Sequence, residues 1–312
     1  MTASVSPAAS QRRTFLNPKF VNSLKRNLAG YSFIVIALVL IIVFLIYPIG
    51  FVVYISFHKW AILGQPKWLG LNNYATIFHD ARFWRAVWNT IYFVVLAVPA
   101  TIAVGLFLAI LVNREVPGKE VFRTIFFIPI SISFVAGGIL FSWILTTTPF
   151  QGFLPSLFQS LGLPFPQWQT ENPNWAMVMI VVMNTWKSAG YSMVISLAGL
   201  QAIDPVYYEA ARVDGVKSEW DMFRYITWPL LTPTTFLLVV TNVIFTIRAF
   251  EPIFVMTAGG PAGATTTLVY YVYQKFPNLM GVSSAAATIL LVGVFLLTGA
   301  QFLINRRRGI DY

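Results

Sequence analysis

The sequence predicts an all-α membrane protein with six crossings, and three observations lead there. Of its 312 residues, 57% are hydrophobic and 10% are charged, whereas soluble domains carry about 25% charged residues. Apolar runs of roughly 20 residues recur along the chain, each long enough for a bilayer core of about 30 Å. The Lys and Arg residues between those runs fall densely on alternate connections, as the positive-inside rule requires.

Residues 1–29 form a basic, polar leader with Arg12, Arg13, Lys19, Lys25 and Arg26. The run that follows, GYSFIVIALVLIIVFLIYPIGFVVYISF, is too long for a signal-peptide core and has no small-residue cleavage site behind it. It is read as the first membrane helix, at about 30–57. Five more are expected at about 83–112, 122–145, 175–200, 226–250 and 283–304, which makes 30–305 the membrane domain and 306–312 a tail.

Six crossings put both termini on one side. That side also carries the connections after helices two and four, with Arg114, Lys119, Arg123, Arg212, Lys217 and Arg224, and the tail with Arg306, Arg307 and Arg308. The other side holds Lys59, Lys67, Arg82, Arg85 and Lys275. The bias places both termini of this multi-pass protein, and the segment 204–225, on the cytoplasmic side. Trp60, Trp68, Trp84 and Trp88 flank the first external connection as interfacial anchors. The second, 146–174, is rich in Pro and aromatics and long enough to be functional or partly helical. The third contains TAGGPAGATTTL, where Gly259, Gly260 and Pro261 mark a tight turn.

Several chemistries are excluded or disfavoured. With no cysteine, thiol catalysis, disulfides and iron–sulfur clusters are ruled out. His58 and His79 are too few to build a zinc site on their own. The net charge of +10 is explained by membrane orientation and needs no nucleic-acid partner. No GxxxxGK[ST] phosphate loop is present, so the chain is expected to bind no cofactor and to catalyse nothing itself.

The most heavily punctuated segment is 204–225, DPVYYEAARVDGVKSEWDMFRY. Asp204 followed by Pro205 is a helix start, and Gly215 is placed to end that helix. SEWD, Ser218 to Asp221, fits a second start with a capping-box pattern, and Pro229 and Pro233 punctuate the return to the membrane. Two helices this short are not stable alone and need a surface to pack on. Ala210 and Ala211 permit close approach, while Glu209 and Asp214 supply charge; the plain alternative is a solvated helix-turn-helix connection.

EAARVDGV followed by ITWP resembles the EAA loop of binding-protein-dependent ABC importer permeases, with Val216 and Trp228 departing from the usual alanine and leucine. WLGLNNYATIF, FRTIFFIPISISFVAGGILFSWI, LAGLQAIDPVYYEAARVDG and FVMTAGGPAGATTTLVYYVYQ extend the similarity to the maltose-type carbohydrate permeases over residues 30–307. The resemblance implies a type I importer permease fold whose cytoplasmic loop, with Glu209, Ala210, Ala211, Asp214 and Gly215, docks on a dimeric ATP-binding subunit that uses the ATP and Mg. It implies a second permease completing a heterodimeric pore, an extracytoplasmic binding protein meeting Gly259, Gly260 and Pro261, surrounding lipid, and a sugar as cargo.

For the cargo path, Asn242, Phe245, Thr246 and Ala249 recur at helical spacing; the resemblance places that stretch, with Trp186 and Tyr191, along the passage. Polar residues at such spacing also serve packing between helices. Lys187 and Arg248 are cations inside predicted spans, which either pair or line the passage; Glu251, three residues after Arg248, is a helical partner for it. A glycerol-phosphate or polyol permease is the rival of the same type. An ion-coupled secondary transporter is the rival of another class, disfavoured by the absence of a clear repeat and of carboxylates deep in the spans.

Overall fold

A computed structural model describes residue 31 and residues 34–61, 64–114, 117–147, 150–169, 173–276 and 278–307. The leader, 1–29, and tail residues 308–312 lie outside the described residues. Helix α1 (Ile34–Ser56) accounts for most of the described part of a first compact unit, residues 1–54, and residues 55–312 form a second. It holds no acidic or basic residue, and its exposed Ile, Val, Leu and Phe side chains point all round it. A helix apolar on every side is one solvated by hydrocarbon.

The second unit begins with a two-residue antiparallel ladder, β1 (His58–Lys59) and β2 (Lys67–Trp68), with His58 opposite Trp68. It is the one departure from all-α structure among the described residues. Helix α2 (Asn72–His79) closes the ladder because Asn73 Nδ2 donates to the Ser56 and His58 carbonyls at 2.8 and 2.9 Å. Asp80 then caps α3 (Ala81–Asn113), accepting from the Arg82 backbone N–H.

Asp80 also ties the start of α3 to a distant helix, α12 (Leu268–Lys275). Its Oδ2 accepts from Lys275 Nζ and from the Tyr271 hydroxyl, each at 3.0 Å. Burial works to raise the Asp80 carboxyl, and the hydrogen bonds from Lys275, from the Arg82 backbone and side chain and from Tyr271 outweigh it, holding it well below the usual carboxylate range. A carboxyl depressed in the folded state adds stability that is complete above its unfolded value, about 3.9, and is lost as pH falls through the folded value. Asp80→Asn is therefore expected to lower stability at pH 7 by about 2 kcal/mol, the scale of a hydrogen bond to a charged group. The substitution also removes part of the acid sensitivity below about pH 4. Thermal melts of detergent-solubilised protein at both pH values test this, and identical wild-type and variant melts at pH 7 refute it.

The region predicted as one straight third helix, at about 122–145, is broken. Helices α4 (Lys119–Ser131) and α5 (Phe134–Leu145) meet at 101°. Pro129 weakens the end of α4, and Ser133 caps α5, its Oγ accepting from the Ala136 N–H at 3.1 Å. After α6 (Phe153–Ser160), the connection between α5 and the next long helix plugs inward: Trp168 is fully buried and donates to the Leu145 carbonyl at 2.7 Å.

Helix α7 (Pro173–Gln201) runs through the middle of this unit, with 16 of its 29 residues buried. Because protein surrounds it, it tolerates Asn184, Thr185, Lys187, Ser192 and Ser196, all buried. Glycines let its neighbours come close. A Cβ on Gly105 of α3 would lie 2.5 Å from Ser192 Cβ, and one on Gly190 would collide with the Phe126 carbonyl of α4. Small residues at helix crossings are how membrane helices gain packing.

Next come α8 (Pro205–Val213) and α9 (Glu219–Leu230), which meets α10 (Thr232–Ile247) at 67°. α9 widens into a π-helical stretch at Phe223–Thr227, just before Pro229 and Pro233 interrupt the backbone ladder. A short α11 (Glu251–Met256), α12 and a long α13 (Met280–Arg307) complete the described chain. Three helices, α1, α3 and α13, are long and apolar enough to cross a membrane unbroken, and the bent pairs α4–α5 and α9–α10 raise that number to five. α7 has the length, but its polar interior-facing residues dilute its hydropathy.

Candidate functional site

The segment 204–225 forms two short helices joined at a left-handed glycine. Asp204 Oδ1 accepts from the Val206 N–H at 2.9 Å and starts α8. At the other end the Asp214 N–H donates to Ala210, Gly215 to Arg212 and Val216 to Ala211. Gly215 takes φ +91°, so this is a helix terminated through a positive-φ residue with a bond spanning five residues. A Cβ there would meet nothing within 4 Å; glycine is needed for its backbone, not for space. Ser218 Oγ caps α9, accepting from the Asp221 N–H.

α8 shows two faces. Val206, Ala210 and Val213, at helical spacing, are all exposed, Val213 to 88%, with Glu209 beside them. The result is an apolar stripe beside a carboxylate, left facing outward on a polar segment. The paired alanines do not act together as the sequence suggested. Successive residues lie about 100° apart on a helix, so Ala210 faces out while Ala211, 5% exposed, packs inward. Tyr208 also turns inward and its hydroxyl lies 3.2 Å from Thr227 Oγ1, joining α8 to α9. Behind them is a cavity of about 960 Å³ between α3 and the loop, lined by Ile102, Phe107, Arg114, Arg212 and Trp220 among others.

The second assembly is the turn after α11. Gly259 takes φ +81°, and a Cβ on it would lie 2.7 Å from both Thr266 Oγ1 and the Tyr270 ring. Thr265 Oγ1 donates to the Gly260 carbonyl at 2.8 Å, and the Gly260–Pro261 peptide is cis. Side chains that sequence reasoning missed pin this turn to α3. Arg85 donates to the Ala262 carbonyl, Asn89 to the Gly263 and Thr266 carbonyls, and Thr90 Oγ1 accepts from the Leu268 N–H, all within 3.0 Å. They lie more than 170 residues away in sequence; Arg85 and Asn89, four residues apart, share one face of α3.

The residues expected along a cargo path divide. Tyr191 of α7 and Phe245 of α10 meet edge to face at 6.2 Å, and Phe245 is 59% exposed. Trp186 packs on Phe141 at 5.1 Å. Asn242 and Thr246 are buried; Asn242 Nδ2 donates to Ser192 Oγ at 3.3 Å and to the Leu238 carbonyl, so it joins α10 to α7. Arg248 and Glu251 are exposed, and among the described residues no ion pair links them. Their i,i+3 spacing counts only within one helix; α10 ends at Ile247 and Glu251 opens α11. Lys187 is buried and donates to the Ile130 carbonyl at 3.0 Å and to the Ile132 carbonyl. Its ammonium also lies 4.6 Å from the Phe134 ring centre, so it is consumed at the α4–α5 break.

Residues 101–310 match the family described as "binding-protein-dependent transport system inner membrane component". The chain belongs to this family. It is the membrane permease subunit of an ABC transport system of the binding-protein-dependent type. A lactose transport system permease of Rhizobium radiobacter is 35% identical over 290 residues, covering 90% of this chain and 95% of that protein. An sn-glycerol-3-phosphate transport system permease of Salmonella typhimurium is 32% identical over 276 residues, covering 87% and 92%. Among solved structures, a chain of a bacterial alginate ABC transporter in complex with a pentasaccharide-bound periplasmic protein superposes with a TM-score of 0.80. It covers 93% of this chain and 98% of that one at 23% identity, a likeness of fold. The family places this permease in the inner membrane and answers the ion-coupled alternative.

Proposed function

We propose that this permease forms half of a sugar-importing pore, crosses the membrane six times with both termini in the cytoplasm, and takes mechanical work from a separate ATPase dimer through α8. The observation that carries the reading is the outward stripe of Val206, Ala210 and Val213 beside Glu209. Three unbroken apolar helices, the two bent pairs taken as one span each, and the enclosed α7 are what support a count of six. Positively charged connections then put 204–225 inside the cell and Gly259, Gly260 and Pro261 outside.

In this reading Glu209 pairs with a basic group on the ATPase, Ala210 gives the close fit, and Asp214 and Gly215 shape the end of the helix. Ala211 supports the helix from within. ATP and Mg act wholly on the partner. A second permease of similar size completes the pore, and an extracytoplasmic binding protein delivers cargo onto the rigid Gly-Gly-Pro turn. Tyr191, Phe245 and Arg248 border the passage, with Trp186 behind; Asn242 and Thr246 position α10, and Glu251 stands at the outer end.

A sugar is favoured over an ion because the accessible groups are aromatic rings with a few polar neighbours. The relatives include a lactose and a glycerol-phosphate permease, so a phosphorylated polyol is the second reading, favoured by the exposed Arg248 guanidinium. Co-purification of the chain with its ATPase, second permease and binding protein, followed by solute-stimulated ATP hydrolysis, tests the assignment. A sugar that raises turnover supports it; a purified chain that moves solute across vesicles with no ATPase present defeats it.

A further inference from the structure

Four aromatic rings gather at the outer end of α10, and the reading above does not use them. Phe250 stacks on Phe254 at 5.3 Å and on Tyr270 at 6.0 Å, and lies 4.9 Å from Tyr273. Phe254 meets Tyr273 nearly at right angles, at 5.6 Å and 79°. Tyr270 is buried at 6%, while Phe254 and Tyr273 keep 43% and 47% of their surface exposed. The cluster is thus a two-ring corner on a packed aromatic base.

The surroundings narrow what this corner faces. On α11, Pro252, Ile253 and Met256 are buried; Glu251 and Phe254, three residues apart and so on one side of the helix, are both exposed. Arg248, exposed at the end of α10, lies close by in sequence, and among the described residues neither charge has an ion-pair partner. Unpaired charges on a membrane domain are not presented to lipid; they border water or a polar ligand. An aromatic corner next to a free carboxylate and a free guanidinium is poorly suited to acyl chains.

Resting on the carbohydrate reading, we propose that Phe254 and Tyr273, with Glu251, form an outer subsite for the ring of a cyclic saccharide. The chemistry is specific. A pyranose has a face of C–H bonds that lies flat on an aromatic ring, and vicinal hydroxyls that donate to one carboxylate. Glycerol phosphate has no such face to lay on a ring.

The test uses the complete transporter, with ATPase, second permease and binding protein, in proteoliposomes. ATP-dependent uptake of labelled lactose, maltose and sn-glycerol 3-phosphate is measured for the wild type, the double variant Phe254→Ala/Tyr273→Ala, and Tyr273→Phe. The wild type is expected to carry a disaccharide. The double variant should lose about tenfold or more of uptake at sub-saturating solute, two rings each contributing at the scale of an aromatic contact. Tyr273→Phe, which keeps the ring, should stay within about twofold. Subunit stoichiometry on purification should match the wild type. Disaccharide uptake unaltered by the double variant overturns the subsite and leaves sugar import standing. Loss of the second permease on purification overturns it as well, because the corner is then a subunit seam. Wild-type uptake of glycerol phosphate in preference to both disaccharides, or of none of the three solutes, overturns the carbohydrate reading and the subsite with it.

Discussion

Glu209→Lys is expected to abolish uptake, to below about a hundredth of wild type, while the protein still inserts and folds. The carboxylate is exposed on α8 and among the described residues makes no ion pair, so reversing its charge removes no internal contact. Surface substitutions of that kind usually change stability by about 0.5 kcal/mol or less. At a docked interface the arithmetic differs: breaking a desolvated charge pair costs about 2–5 kcal/mol, and a lysine opposite a basic group adds repulsion. Each 1.4 kcal/mol is about tenfold in affinity, which gives the hundredfold loss. Two measurements separate the effects: melting of the isolated permease, expected unchanged, and retention of the ATPase on purification, expected lost. Full-rate transport by the variant would remove Glu209 from the coupling role. Glu209→Gln, which keeps the shape and removes only the charge, should fall between the two.

The two ends of the membrane domain are built differently, and this bears on how such work is transmitted. The Gly-Gly-Pro turn is held by Arg85, Asn89 and Thr90 through bonds no longer than 3.0 Å. The segment 204–225 is joined to α9 by the Tyr208–Thr227 hydroxyl pair and backs onto a cavity of about 960 Å³. One end is fastened and the other has room to move. A segment with few buried neighbours and space behind it opens and shifts at low free-energy cost, whereas a turn fixed by buried hydrogen bonds does not.

Local signals were legible in the sequence and non-local ones were not. Asp204, Gly215 and Ser218 each act through atoms within five residues, so their chemistry can be read from the string. The break between α4 and α5 sits in a run of uniform hydropathy, FFIPISISFVAGG. Pro129 announced a weak point, but the 101° turn is completed by Lys187, 55 and 57 residues away. The Asp80–Lys275 tie spans 195 residues, and no periodicity reports it. Arg248 and Glu251 failed for the opposite reason: the spacing was read correctly as three residues, but the helix that gives that spacing meaning stops between them.

Lys187→Met should be the most damaging single change for the fold of the membrane domain. The bend leaves the last carbonyls of α4 without intrahelical donors, and the Lys187 ammonium donates to one of them, that of Ile130, and to the carbonyl of Ile132 in the turn that follows. A cation at a helix C-terminus also meets the negative end of the helix dipole, and the Phe134 ring 4.6 Å away adds a cation–π contact. Against this stands the cost of burying an ammonium, which methionine avoids, and replacing a whole buried polar pair by apolar groups is often neutral. Here only one side of the pair is replaced. The two carbonyls remain, dry and unpaired, at about 1–3 kcal/mol each, while the relief from removing a backbone-solvated charge offsets only part of that. The balance is a loss of about 2–4 kcal/mol. Lys187→Gln, whose amide can donate to these carbonyls but brings no charge, should sit between methionine and the wild type. The ranking is read by thermal melting in detergent. A methionine variant that melts with the wild type would mean that the ammonium does not hold the bend, and that Pro129 and the Ser133 cap suffice to turn the chain. If the ranking holds, Lys187 is committed to the backbone, and of the two cations the sequence placed in spans only Arg248 keeps an exposed face.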